Sequence, residues 1–125
     1  MKRGPIRKVL LDGFEAVRTV GLTLPDVEAT VKYDGSPVLK LRGCFLAGLT
    51  SHSSAEPNTL VLRCHYEQRA WLILDAPETY YVTDYYRKYP VILVRLSLVD
   101  PDALRDLLRV SWQLTSLKTS RKSRR

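Results

Sequence analysis

The spacing of apolar residues changes along this chain, and each change marks a structural element. Ile6, Leu10, Phe14 and Val17 recur at helical intervals behind Pro5, a residue that suits a first helical turn. This spacing predicts a helix from near Pro5 to about Leu22, because Pro25 disfavours helical geometry at Leu24. From Val31 to His65 the period becomes two. In VLKLR, Leu39 and Leu41 face one way while Val38, Lys40 and Arg42 face the other; in TLVLRCH, Leu60, Leu62 and Cys64 oppose Thr59, Val61, Arg63 and His65. YDGSP and HSSAEPN carry the turn chemistry that separates these strands, and the first is the better hairpin signal.

EQRAWLILDAP is ambiguous, since WLIL suits a strand while Trp71 and Leu74 share one helical face. VILVRLSLV alternates again, with Ile92, Val94, Leu96 and Leu98 on one face and Val91, Leu93, Arg95 and Ser97 on the other. Asp100 and Pro101 then supply an N-cap, worth about 1 kcal/mol, and a first helical position. Leu104, Leu107, Leu108 and Trp112 line the stripe of that helix, with Arg105 and Arg109 outside it. The order helix, strands, short helix, strands, helix predicts an α+β fold in which a mostly antiparallel sheet packs against helices.

Composition refines this picture only slightly. With 125 residues, 45% hydrophobic and 26% charged, the chain has the balance of one folded domain, expected over residues 1–117. The formal charge of +7 is misleading as a property of the body. Four basic residues precede Val9 and five lie from Lys118 onward, with no acid among them, so the stretch between holds 11 basic against 13 acidic residues. The fold is therefore expected to be slightly acidic. The cations gather in a tail, KTSRKSRR, expected to be mobile over residues 118–125. No apolar run is long enough for a membrane span, and Asp12 interrupts the first apolar stretch before a secretory core could form. A cytoplasmic protein with no membrane partner is expected.

Three pieces together are recognisable: LPDVEATVKYDGSPVLKLRG, the tyrosine-rich segment closing in YPVILVRL, and VDPDALRDLLRVSWQL followed by basic residues. In combination they make the chain resemble the YjbR-like (MmcQ/YjbR) family over most of its length, from Leu24 to Lys118. The resemblance implies a frataxin-like (CyaY-like) α+β fold, a short helix at EQRAWLIL and a DNA-binding role through paired hairpins. It carries no catalytic residues. The chain departs from the family's usual pattern in placing Cys44 after Gly43, and Lys88 two residues before Pro90.

The residues offer two places for a polyanion. On the strands, Lys40, Arg42, Arg63 and Arg95 are expected on the face opposite the leucines, where they could neutralise phosphates. Between strands, TYYVTDYYRKYPVILVRL holds five of the seven tyrosines, and Tyr85 and Tyr86 beside Arg87 and Lys88 could stack on bases or grip the backbone. Lys118, Arg121, Lys122, Arg124 and Arg125 would attract any polyanion without specificity. Outward lysines and arginines also serve solubility and edge protection, and tyrosine is an ordinary strand residue. One of Tyr80 and Tyr81 is accordingly expected in the core.

No catalytic or metal centre is expected. Cys44 and Cys64 are too few and too far apart for a zinc pattern, and adjacent Cys64 and His65 point to opposite faces of a strand. A frataxin-like iron site would need a carboxylate cluster on the first helix, which offers Asp12 and Glu15 beside Arg18. DGS at Asp34 to Ser36 reads as a turn, and no glycine-rich phosphate loop or cofactor motif is present. Two readings remain: a DNA-binding module using phosphate contacts, and a protein-interaction module that pairs Val38, Val61, Val91 and Leu93 with a second copy or another protein.

Overall fold

The computed structural model describes residues 13–123, with side chains through Thr119. Helix α1 (Gly13–Gly21) is followed by strands β1 (Val27–Val31), β2 (Pro37–Leu41), β3 (Cys44–Leu49) and β4 (Thr59–Arg63). Helix α2 (Tyr66–Asp75), the two-residue β5 (Tyr80–Tyr81), the one-turn α3 (Asp84–Arg87), β6 (Val91–Arg95) and the long α4 (Pro101–Ser123) complete the order. The strands form one six-stranded sheet, β1-β2-β3-β4-β6-β5, with every neighbour antiparallel. This is the α+β arrangement expected, and EQRAWLIL is helix.

One sheet face packs on α1 and α4. Leu39, Leu60, Leu62, Ile92 and Val94 meet Phe14, Val17 and the leucines of α4. Tyr80 is the core member of its pair. Asp100 caps α4 as its sequence requires, its carboxylate accepting the Asp102 and Ala103 amides at 3.1 and 3.2 Å. Farther along, the buried stripe changes from leucine to hydroxyl residues, Ser111, Thr115 and Thr119. Ser111 donates to the Arg63 carbonyl and Thr115 to the Ser111 carbonyl, so these polar groups are satisfied where they are buried. Helix α4 runs to Ser123, so the segment expected as a tail from residue 118 begins within it.

The other sheet face holds a second, smaller core. Val61, Val91 and Leu93 are buried there beneath Phe45, Ala55, Tyr81 and Tyr86. Val38 is buried too. The apolar face expected to be free for a protein partner is thus covered from within the chain, by the segment between β3 and β4 and by α3. A bulge at Leu39/Lys40 shifts the β2–β3 register. It lets the adjacent Leu46 and Ala47 both enter the helix-side core, while Phe45 joins the opposite one.

Two boundaries differ from the alternation pattern. Arg42 is not a strand residue: with φ of 50° beside Gly43 at 84°, it forms the two-residue connection between Leu41 and Cys44. Paired positive φ values match the right-handed twist of a tight hairpin, and glycine supplies one of them without strain. β6 ends at Arg95, whose carbonyl accepts the Leu98 and Val99 amides in a turn, leaving Leu98 exposed. The predicted start of the first helix at Pro5 lies outside the described residues. Among the described residues no helix is long and apolar enough to cross a membrane, and no group of three metal-ligating side chains gathers.

Candidate nucleic-acid interface

The smaller core leaves an open groove at its margin. Phe45, Val61 and Val91 contribute apolar surface, Tyr86, Tyr89 and Pro90 stand on one side, and Lys32, Arg63 and Lys118 add cations; the cavity measures about 420 Å³. A second cavity of about 510 Å³ shares Arg63, Pro90 and Lys118 and continues past His65 to Leu114 and Leu117. Among the described residues, neither lining includes a carboxylate. Three rings and three cations therefore share one groove on a chain whose body is not basic.

Local structure explains how these side chains are held. Strand parity places Arg63 beside Val61 on the outer face, where its Nε donates to the Phe45 carbonyl at 3.2 Å. The Lys32 Nζ donates to the Leu49 carbonyl at 3.2 Å. Lys118 reaches the groove from α4, one residue before the buried Thr119. The Tyr86 phenol bonds Thr50 Oγ1 at 2.6 Å, and burial raises its pKa. Tyr85 stacks on His52 with centroids 3.5 Å apart, and Tyr89 carries the Lys88 ammonium 5.4 Å from its centroid.

The tyrosine wall depends on a residue that the strand pattern does not reveal. Arg69, buried on α2, donates to the carbonyls of Arg87 and Tyr89 at 3.0 Å and of Val91 at 3.1 Å, and its guanidinium lies 4.9 Å from the Tyr66 ring centroid. A planar fork of donors suits three converging carbonyls. Arg69 fixes the segment that carries Tyr89 and Pro90.

The cations expected on one basic face are dispersed. Lys40 pairs in register with Glu28 and Phe45 and lies outside the groove lining. Arg42, in its turn, reaches back to Asp26 at 2.8 Å and donates to Thr119 Oγ1 at 2.9 Å. Arg95 is committed more fully: it forks onto Glu56 at 2.9 and 2.8 Å, donates to the Pro77 and Glu78 carbonyls, and covers the Tyr81 ring at 4.2 Å. That hydrogen bond from Arg95 is the main reason the Glu56 carboxyl is held below its ordinary value. Arg87 pairs with Asp84 at 3.3 Å on the exposed side of α3. The side chains of Arg121 and Lys122, and all of Arg124 and Arg125, lie outside what the structure describes.

Arg63, Tyr86 and Lys118 are thus the expected residues that the fold brings together. Lys32, Phe45 and Tyr89 join them unannounced. Parity could have found Lys32, which follows Glu28 and Thr30 on the same face of β1, and recognition of the Arg42-Gly43 turn would have turned Phe45 outward. Cys64 contributes no exposed thiolate to the second cavity, since burial pushes its thiol up to about 11.

The crystal structure of Deinococcus radiodurans protein DR2400, which carries the family-model domain DUF419, resembles this fold with a TM-score of 0.66. The two chains are 24% identical, and the match covers 82% of this chain and 78% of that one. No family model and no curated protein matches the chain.

Proposed function

We propose that this protein is a non-catalytic, YjbR-like nucleic-acid-binding module of the cytoplasm that takes single-stranded DNA in the groove of Lys32, Arg63 and Lys118. The observation that carries this reading is the meeting of three cations with three aromatic rings in a lining whose described residues include no carboxylate. Cations track phosphates, and aromatic faces accept any base, each stack contributing about 1–3 kcal/mol. Tyr86 stands on a one-turn helix and Tyr89 just past its end, and sequence-tolerant contact with an unpaired strand suits such rings better than base-edge readout. No bond need be broken in the ligand.

The test is fluorescence anisotropy with a labelled oligothymidine across a salt series, for the full chain and for a chain ending at Thr119. Three phosphate contacts on a single strand correspond to a slope of log affinity against log salt of about −2. The shortened chain keeps that slope and most of the affinity, while Arg63→Ala with Lys118→Ala lowers affinity at least about tenfold. Binding that disappears on removal of residues 120–125, with the groove intact, overturns the proposal.

A further inference from the structure

We infer that β1 is a self-pairing edge, joining two copies of this chain into one twelve-stranded sheet about a two-fold axis through Ala29. β1 is the outermost strand on its side of the sheet, and four of its five residues are exposed. Among the described residues no strand pairs with its open side, and its VEATV sequence contains neither proline nor lysine, Glu28 being its one charge.

The hydrogen-bond phase decides which register can form. Lys32 donates its amide to the Ser36 carbonyl at 2.8 Å, so even-numbered residues of β1 turn their backbone groups toward β2. The two-residue turn after Leu41 requires the same phase, because its closing pair faces β3. Val27, Ala29 and Val31 therefore present their amides and carbonyls to the open side. An antiparallel copy centred on Ala29 places Ala29 opposite Ala29 and Val27 opposite Val31, all at hydrogen-bonded positions, and completes six amide–carbonyl bonds.

Side chains agree with that register. Val31, 61% exposed in the single chain, gains an apolar neighbour in Val27 of the second copy. Glu28 faces Thr30 rather than another Glu28. The arrangement is isologous and closes at two copies. It leaves the cavities beside β4 and β6 open.

Sedimentation velocity over a concentration series reaching about 0.5 mM tests the inference on the full chain. Ala29→Pro removes an amide that only the second copy would use, so it should raise the dimer dissociation constant at least about tenfold while the melting temperature is unchanged. Ala29→Glu and Ala29→Lys each place like charges directly across the axis and should be monomeric alone. Mixed in equal amounts, they should restore a dimer, which a merely misfolded variant would not. A natural chain that stays monomeric throughout, or a mixture that fails to associate, overturns the inference.

Discussion

Replacing Arg69 with methionine removes a single buried guanidinium and should loosen one whole wall of the groove. Three hydrogen bonds disappear, to the carbonyls of Arg87, Tyr89 and Val91. Bonds from a charged donor contribute about 1.5–3 kcal/mol each, but the loss is not three times that. The contacts at Arg87 and Tyr89 are only part-buried, so those carbonyls can recover water, whereas the Val91 bond is buried and its carbonyl is stranded. Rehydration of the guanidinium in the unfolded reference offsets part of the rest, and methionine preserves the apolar stem. The expected loss is about 3 kcal/mol, equivalent to a fall of roughly 10 °C in Tm for a domain of this size. Urea unfolding followed by circular dichroism measures it, with an unchanged m-value showing that only stability moved. A loss below about 1 kcal/mol would refute the claim that Arg69 organises residues 87–91.

Cys64 should resist Ellman's reagent at pH 8 in the folded protein, because burial has pushed its thiol up to about 11, while the less buried Cys44 reacts; two thiols reacting together without denaturant would contradict the packing. Glu56 should titrate below its ordinary value of 4.5 in carbon-detected NMR, and Arg95→Met should return it toward that value. The sign follows from the lowered folded pKa: the Arg95–Glu56 contribution is complete above pH 4.5 and is lost as pH falls through the folded value. A Glu56 midpoint that is indifferent to Arg95→Met would contradict this pairing.

Much of the fold was legible because burial imposes periodicity. The leucines of β2 and β4, the stripe of α4 and the Asp100 cap are local signals, and each appears where its pattern requires. The candidate site was less legible, because it depends on pairings between distant segments. Whether an outward arginine is available is decided by what lies across from it: Arg95 met Glu56 and Tyr81, and Arg42 met Asp26 and Thr119. Alternation also treats a sheet as having one apolar face. It could not register that Phe45, Tyr81 and Tyr86 would fold over Val61 and Leu93 and leave the groove beside them.

The most direct measurement is an amide chemical-shift titration of the full chain with a short oligothymidine. If the groove holds a single strand, the largest shifts fall on Phe45, Val61, Arg63, Tyr89 and Val91, and they weaken together as salt rises. Shifts confined to residues 120–125, with those groove amides unmoved at saturating oligonucleotide, would show that terminal charge alone attracts nucleic acid and that the groove has another use.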